Sequence, residues 1–542
     1  MGIPHLYREI VKKDPSIIVN KIPGCTRLFL DFNGIIHNSA NRIKSKYIEN
    51  PNKYQDIDIE DILFKEIIVQ TNEIVSACKP SELLYIAVDG VAPLAKQHQQ
   101  RKRRYLSAYT NQIINEFKDH NNIPYLNWDS NQITPGTSFM INLNKYLKEY
   151  YSINKFDYKV IVSGSDEAGE GEHKAIRYIK DQNIKNQKQT QNQPNQTKQN
   201  PQVDVIYGLD ADLIMLTLTC GVENIYLMRE ADPNFNYIDI KRLRRNISLY
   251  LYDSEDISYM YDYVVICFLL GNDFLPNIPC LKLRFNGLTI LCNTYKEIYN
   301  KLQTNLVNYE SNKYKINYNF IKLLVETISK TEDKMMQEIT IEYNKTTTNK
   351  PYASSSSPME KLMSQIDDYP LKNKMTDLID PVNNPKWRMS YYHYLFDDHT
   401  ESTIKSSVIN YIEGLHWNID YYFNNEYSKI WHYSYNYAPC MTDLSKYIST
   451  IGANFAINFK NNHIITESMQ LLMVLPPQSV NIIPDQLKPY MQNIDYGCLH
   501  YYPKKFKLST YLKYFGWEMV PILPDINLDY LINKLKNQNT IK

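Results

Sequence analysis

The sequence has no C-x-x-C pair and no long hydrophobic run, and its charges almost cancel. Its eight cysteines are scattered between Cys25 and Cys498, so we expect no structural zinc site and a reducing, intracellular environment. The longest apolar run, near 264–270, is far shorter than the ~20 residues that span a bilayer. Sixty Lys and Arg against 59 Asp and Glu leave a net charge of +1, which excludes a uniformly basic surface. We therefore expect a soluble protein in which any nucleic-acid surface arises from local charge.

The length of 542 residues exceeds the usual size of one domain, and 43% hydrophobic residues are enough for real cores. We predict an amino-terminal domain over 1–295, a partly helical linker over 296–375 and a second region over 376–542. An Asn/Gln/Lys-rich insert at 183–202 is predicted to be disordered, with an interaction segment as the alternative. A second flexible connection is predicted at 345–358.

Short, nearly continuous apolar segments alternate with helical stretches in the first half. They lie at 27–32, 83–89, 159–163 and 203–210, and an aspartate falls at or near the end of three of them. Such segments are typical of a parallel sheet that is covered by helices on both faces. We therefore predict an α/β fold with a ligand site at the carboxyl ends of the strands.

Seven acidic residues stand out because they follow these segments or lie in short acidic motifs. They are Asp31, Asp89, Glu170, Glu172, Asp210, Asp212 and Asp273. Two pairs are spaced two residues apart, and in an extended backbone each pair could present both carboxylates to one point. Taken singly, such residues are more often helix caps or turn residues. Together they favour a pair of Mg²⁺ ions, because a hard divalent cation removes the repulsion between crowded carboxylates.

A basic stretch begins seven residues after Asp89. Residues 96–104 (KQHQQRKRR) carry five positive charges and no acid. Four of these side chains share an arc of roughly 100° on a helix: Lys96, Gln100, Arg103 and Arg104. Guanidinium, ammonium and amide donors suit a terminal phosphate. A solvated charged helix and a localisation signal are the alternatives, but the closeness to Asp89 favours a phosphate pocket beside the metal cluster.

Six long blocks occur in a fixed order within 1–295: DFNGIIHNSA, VDGVAPLAKQHQQRKRR, DSNQITPGTSFM, SGSDEAGEGEHKAIRYI, YGLDADLIML and FLLGNDFLPNIP. Together they resemble the signature blocks of the 5′→3′ exoribonuclease family. A weaker likeness covers about 380–480 through YIEGLHWNIDYYF, WHYSYNYAP and VLPP. The resemblance implies a PIN/flap-endonuclease-like nuclease core, with a mostly parallel sheet flanked by helices and a second, mainly helical region packed on it.

The resemblance also implies the roles of the candidate residues. The seven acids would be catalytic and hold two Mg²⁺ ions, with Mn²⁺ able to substitute. The Lys96, Gln100, Arg103 and Arg104 set would bind the 5′-monophosphate of single-stranded RNA. His37 and Trp417 would sandwich the leading bases, although without the family a turn residue and a core tryptophan would be expected. The implied activity is processive hydrolysis from the 5′ end to nucleoside 5′-monophosphates, in RNA decay or processing.

Two other functions stay open from the sequence: a structure-specific, flap-type DNA nuclease, and a catalytically idle RNA-binding scaffold.

The chain stops soon after the second block, without the long carboxyl-terminal extension of the family's cytoplasmic branch or the zinc knuckle of many nuclear members. We expect a monomer that is cytoplasmic rather than nuclear and has no membrane association. A protein partner in place of the extension is a further hypothesis.

Overall fold

The computed structural model describes residues 6–54, 58–192, 202–208, 210–231, 234–252, 259–346, 357–451 and 464–537. Within these ranges, each helix is too short or too polar to cross a membrane.

A seven-stranded sheet forms the centre of the first half, within the described residues. Its strands are β1 (Ile18–Val19), β2 (Arg27–Asp31), β3 (Leu83–Ala87), β4 (Lys159–Ser163), β5 (Asp204–Tyr207), β6 (Ile225–Ala231) and β7 (Asn234–Asp239). The order across the sheet is β1-β7-β6-β5-β2-β3-β4. The five strands from β6 to β4 are parallel, whereas β7 and β1 pair antiparallel. This arrangement confirms the predicted α/β fold with a mostly parallel sheet.

Helices cover both faces of the sheet. Those of the first half are α1 (Leu6–Lys13), α2 (Phe32–Glu49), α3 (Ile59–Cys78), α4 (Leu94–His120), α5 (Ser138–Ile153), α6 (Gly171–Asn192), α7 (Asp212–Leu218), α8 (Ile240–Tyr252) and α9 (Met260–Phe268). Leu28 and Leu30 of β2 pack with α2, α3 and α5, whereas Phe29 packs with α6 to α9. The alternation follows from the two-residue period of a strand, and burial on both faces explains why Leu28, Phe29 and Leu30 are all apolar.

The predicted disordered insert at 183–202 lies partly inside a helix. Because α6 runs to Asn192, residues 183–192 are helical, while residues 193–201 lie outside the described part of the chain. The prediction of disorder was therefore wrong for the first part of the insert. Low complexity suggested disorder, but Gln and Lys are good helix formers and prolong a helix that has already started.

The second half is mainly helical. Its helices are α10 (Gly287–Leu302), α11 (Tyr318–Ser329), α12 (Glu332–Lys345), α13 (Pro358–Asp367), α14 (Tyr369–Lys372), α15 (Trp387–Phe396), α16 (Glu401–Ile419), α17 (Met441–Ile451), α18 (Glu467–Val474), α19 (Lys488–Gln492) and α20 (Leu528–Asn537). Two hairpins accompany them: β8 (Val307–Glu310) with β9 (Lys313–Ile316), and β10 (Lys507–Ser509) with β11 (Val520–Ile522). A π-helical turn, Asp420–Asn424, continues α16.

The segment predicted as a linker, 296–375, contributes to a hydrophobic core. Its described residues include the end of α10, the β8–β9 hairpin and helices α11 to α14. Phe320 and Tyr343 are fully buried and belong to the same hydrophobic cluster as Phe29 of the central sheet. The sheet and the helical half therefore share a continuous core. Most of the predicted flexible connection at 345–358 lies outside the described residues.

The segment 464–537 packs against α4. Leu94, at the start of α4, belongs to the hydrophobic cluster that this segment forms. The buried guanidinium of Arg101 donates to the carbonyl oxygens of Tyr501, at 2.5 Å, and Pro524, at 2.6 Å. The last part of the chain therefore holds one side of α4, and Lys96, the first residue of the predicted phosphate pocket, lies on the same helix.

Replacing Arg101 with alanine is expected to destabilise the protein by about 3 kcal/mol, because two carbonyl oxygens lose a charged donor. Heat denaturation monitored by circular dichroism would show this destabilisation as a lower Tm. Gln112→Ala is the matched control, because Gln112 is exposed on the same helix; it should change stability by less than ~0.5 kcal/mol. Equal Tm values for Arg101→Ala and the parent would contradict this role of Arg101.

Candidate active site

The carboxyl ends of β2 and β5 meet at the point where the strand order of the sheet reverses. The chain runs from β2 outward to β3 and β4, then returns to β5 on the other side of β2 and continues to β6. In open α/β sheets, such a switch point leaves a crevice in which ligands bind. Asp31 is the last residue of β2 and Asp210 follows β5, so both acids lie at this crevice.

Three of the predicted acids converge there. Asp31, Glu172 and Asp210 each offer a carboxylate oxygen, and these oxygens lie within 4.8 Å of one another. Glu172 belongs to the first turn of α6, which can start this close to the sheet because residue 171 is glycine. A Cβ at Gly171 would stand 2.5 Å from the carbonyl oxygen of Ala87 and 3.1 Å from Asp31 Oδ1. The three oxygens form a ligand set of the kind that hard divalent cations take.

Asp89 and Asp212 add two further carboxylates. Asp89 is held in place by Asn33, whose Nδ2 donates to its Oδ2 at 2.9 Å, and by the backbone N–H of Gly171, which donates to its Oδ1 at 2.7 Å. Asp212 is only 3% exposed, and its Oδ1 has no hydrogen-bond partner among the described residues. A buried carboxylate oxygen without a partner is costly, and a bound cation would satisfy it.

Lys96 lies between the remaining two acids. Its Nζ is 2.5 Å from Glu170 Oε2 and 2.7 Å from Asp273 Oδ2, and all three side chains are buried. Lys96 belongs to α4, whereas Glu170 precedes α6 and Asp273 follows α9. A residue predicted for the phosphate pocket thus acts as an internal counter-ion for two predicted metal ligands.

The pKa values of these carboxyls record how crowded they are. Burial, followed by the charge of Asp89, raises the pKa of Asp31 well above its ordinary value. Burial and the charge of Asp273 raise the pKa of Asp212 to about 7. For Asp273, burial favours the neutral form, but the charge and hydrogen bond of Lys96, together with other positive charges that include Arg103, lower the pKa. One lysine therefore does not neutralise the cluster, and the excess negative charge favours a bound cation.

The prediction allowed each pair of acids spaced two apart to face one point, but the Glu170 and Glu172 carboxylates have different partners. Glu170 lies just before α6 and Glu172 lies in its first turn. Glu172 joins Asp31, whereas Glu170 pairs with Lys96. The prediction assumed an extended backbone, but residues along a helix turn by about 100° each, so side chains two apart diverge.

The other residues predicted for phosphate binding follow Lys96 along α4. Gln100 is buried, and its Oε1 has no hydrogen-bond partner within the described part of the chain. Arg104 is also buried, and its Nη1 donates to Thr134 Oγ1 at 2.5 Å. Arg103 is exposed. A row of basic and amide groups, which we call the α4 donor row (Lys96, Gln100, Arg103 and Arg104), therefore begins at the acids and continues to the surface.

His37 lies on α2 beside this row. Its ring reaches solvent, yet the surrounding protein, followed by the charges of Arg103 and Arg104, lowers the pKa of the imidazole to about 4. The ring is therefore neutral near pH 7. A neutral, accessible aromatic ring next to basic groups is compatible with stacking on a base.

Trp417 does not have the environment that stacking on a base requires. The side chain has no exposed surface, and its Nε1 donates to the carbonyl oxygen of Ser428 at 2.7 Å. Its ring stacks on Tyr421, with centroids 4.9 Å apart, and on Trp431, with centroids 5.3 Å apart. The prediction that Trp417 stacks on a base was wrong, because protein rings already cover it.

Two residues that the sequence analysis missed contact the predicted ligands. Asn33 binds Asp89, and the hydroxyl of Tyr421 donates to Glu170 Oε1. Asn33 stands two residues after Asp31 in DFNG, and Tyr421 stands four residues after Trp417, a spacing that places both rings on one helix face. Neither spacing indicates which acid is contacted, because the partners come from distant segments.

Comparison with known proteins finds two family models that together cover nearly the whole chain. One, described as the XRN 5'-3' exonuclease N-terminus, matches residues 1–231. The other, described as the Xrn1 helical domain, matches residues 252–365 and 336–540.

Curated relatives carry matching names. The 5'-3' exoribonuclease 1 of Schizosaccharomyces pombe is 26% identical over 99% of this chain and 49% of its own length. The 5'-3' exoribonuclease 1 of Homo sapiens is 28% identical over 99% of this chain and 34% of its own length. The 5'-3' exoribonuclease 2 of Debaryomyces hansenii is 25% identical over 99% of this chain and 70% of its own length. The chain thus spans less than half the length of the first two relatives.

In EDTA, the stability of the protein is expected to fall as pH rises from about 4 to about 7. The pKa of Asp212 is about 7 in the folded protein against an ordinary 3.8, so the folded state binds this proton more tightly than the unfolded chain. A cation displaces the proton, so stabilisation by Mg²⁺ should grow over the same window.

Tm measured against pH, with EDTA and with Mg²⁺, checks this expectation. Asp212→Asn removes the titrating group and should give a shallower dependence in EDTA. If Tm depends on pH equally steeply in Asp212→Asn and in the parent protein, groups other than Asp212 cause the pH dependence.

Proposed function

The chain belongs to the 5′–3′ exoribonuclease family, and we propose that it hydrolyses RNA processively from a 5′-monophosphorylated end and releases nucleoside 5′-monophosphates. The observation that carries this proposal is the convergence of acidic side chains at the switch point of the sheet, directly beside the α4 donor row. The acids could hold the cations that phosphodiester hydrolysis needs. The α4 donor row could bind the phosphate at the 5′ end of an RNA strand.

The seven acids would hold two Mg²⁺ ions, or Mn²⁺ in their place. The all-oxygen ligand set and the Asp212 Oδ1 atom that has no partner among the described residues both support such a site. Bound there, the ions would lower the pKa of an attacking water and offset the negative charge that develops at the phosphate. The protein's own part is to fix the carboxylates: Asn33 and the Gly171 N–H hold Asp89, and Lys96 holds Glu170 and Asp273.

The α4 donor row would hold the 5′-phosphate. Gln100 and Arg104 are buried and can form a closed pocket, while Arg103 can enclose the phosphate from the solvent side. A cap or a triphosphate would not fit such a pocket. Charge-assisted hydrogen bonds from guanidinium groups give the strongest recognition of phosphate.

Base contacts would come from His37, whose neutral ring can stack on the first base. Stacking is worth ~1–3 kcal/mol per base and tolerates every base, which suits an enzyme that moves along RNA without sequence preference. We do not propose this role for Trp417, because its side chain is fully buried.

The proposed activity is tested with matched RNAs that carry a 5′-monophosphate, triphosphate, cap or hydroxyl, each with and without Mg²⁺. We expect mononucleotides from the monophosphate RNA alone, and only with Mg²⁺. Internal cutting of a DNA flap would favour a flap-type nuclease instead. RNA binding without hydrolysis in Mg²⁺ or Mn²⁺ would favour an RNA-binding scaffold.

Asp210→Asn and Asp212→Asn are each expected to abolish this hydrolysis, because each removes a charged ligand from the cluster. The variants should stay folded, since a neutral amide relieves repulsion among crowded carboxylates. Single-turnover hydrolysis of labelled RNA measures the loss, with circular dichroism as the control for folding. Full activity in either variant would contradict the proposed metal site.

Arg103→Ala should reduce the preference for a monophosphate over a hydroxyl end by about 10- to 100-fold, the value of a charge-assisted hydrogen bond. The ratio of kcat/KM for the two RNAs measures it. Lys102→Ala is the matched control, because Lys102 faces Asp525 across a separate cavity of about 230 Å³. If both variants keep the parent's ratio, the α4 donor row is not the phosphate site.

A further inference from the structure

The helical half reaches the acidic cluster through a tyrosine. Tyr421 lies in the π-helical turn that continues α16, and its hydroxyl donates to Glu170 Oε1. We propose that Tyr421 is a positioning residue, whose hydroxyl fixes the Glu170 carboxylate in the orientation that the metal site needs. The inference rests on the proposed function, since it assigns the helical half a part in the same site.

The two oxygens of Glu170 have different partners. Oε1 accepts the hydrogen bond from Tyr421, and Oε2 lies 2.5 Å from Lys96 Nζ. Glu170 is 5% exposed, so water cannot easily replace either partner. One partner belongs to the nuclease half and the other to the helical half, and together they determine the plane of the carboxylate. Hydrogen bonds of this kind orient a metal ligand and tune its basicity.

Tyr421 can act in this way because neighbouring rings hold it. Its ring stacks on Trp417 with an interplanar angle of 13°, and Phe274 and Tyr427 contact it edge-on at 4.9 Å and 4.7 Å between centroids. His173, the residue after Glu172, lies 4.1 Å away between ring centroids. Rotation of the phenol would require several of these rings to move, and close-packed interiors resist that.

The π-helical turn brings Tyr421 to the acids. The turn covers Asp420–Asn424 and ends at Asn425, which has a positive φ of 56°. The Asn424 amide donates to Asp420 Oδ1 at 2.8 Å and accepts from the backbone N–H of Tyr314 at 2.9 Å, so the turn is tied to the β8–β9 hairpin. π-helical turns within α-helices are rare and frequently occur at functional sites. This one carries the residue that contacts a predicted metal ligand.

Trp417 gains a role from this arrangement. Trp417 lies four residues before Tyr421 on the same helical face, and the tyrosine ring stacks on its indole. Its own position is fixed by the hydrogen bond from Nε1 to Ser428. Trp417 therefore supports the site indirectly, through Tyr421 and Glu170.

Tyr421→Phe removes the hydroxyl and keeps the ring. We expect the Tm to change little and the affinity for Mn²⁺, measured by calorimetry without RNA, to fall about tenfold. Turnover of 5′-monophosphorylated RNA should fall about 10- to 100-fold in kcat. KM for RNA should stay nearly constant, because the α4 donor row is intact.

Tyr411→Phe is the matched control. Tyr411 lies on α16 and is fully buried, but its hydroxyl donates to the carbonyl oxygen of Pro276 at 3.1 Å. Removal of this hydroxyl should leave Mn²⁺ affinity and kcat at the parent's values. An equal loss in both variants would mean that any buried hydroxyl matters in this helix, and would overturn the inference.

A double-mutant cycle with Glu170→Ala tests whether Tyr421 acts through Glu170. If it does, Tyr421→Phe should cause no further loss of Mn²⁺ affinity once Glu170 is absent. Additive losses would indicate a general structural effect and overturn the inference.

The Mn²⁺ measurements separate this inference from the proposed function. A parent protein that binds Mn²⁺ but leaves RNA intact would refute the function, while a weakened Tyr421→Phe would still support the positioning role. Active parent and Tyr421→Phe proteins with equal Mn²⁺ affinity and kcat would refute the positioning role alone.

Discussion

Repulsion among crowded carboxylates determines how the rest of the site is arranged. Acids from five separate segments meet at one edge of the sheet, and burial raises the pKa of several of them. Lys96 compensates part of this charge by pairing with Glu170 and Asp273. The remaining negative charge favours a bound cation. Crowded carboxylates would destabilise the protein without a cation, but the same carboxylates can hold the cations that phosphodiester hydrolysis uses.

Helix α4 connects the different parts of the molecule. One of its side chains, Lys96, reaches the acids, and the α4 donor row continues from there toward solvent. Arg101 anchors the same helix to carbonyl groups of the segment 464–537. If the α4 donor row binds a 5′-phosphate and the acids bind cations, the two binding events are expected to influence each other, because Lys96 belongs to the row and pairs with Glu170 and Asp273.

The helical half contributes to the site as well as to the core. Its buried side chains belong to the hydrophobic cluster of the sheet, and Tyr421 contacts Glu170 directly. Burial of Trp417 has a simple physical reason: a large ring gains most by packing fully, and here Tyr421 and Trp431 cover its two sides. The sequence could not distinguish this arrangement from an exposed stacking ring, since both need an aromatic residue at the same position.

Local sequence patterns predict the class of fold and three acids that lie at the site, Asp31, Asp89 and Asp210. Apolar segments ending near aspartates are enough for this, because the carboxyl ends of parallel strands lie at one edge of a sheet. The partners of these side chains follow from the folded structure: Lys96 pairs with two acids, Glu172 approaches Asp31 and Asp210, and Trp417 lies inside the core. These outcomes depend on where helices start and on contacts between residues far apart in the chain, and local sequence patterns carry no information about such distances.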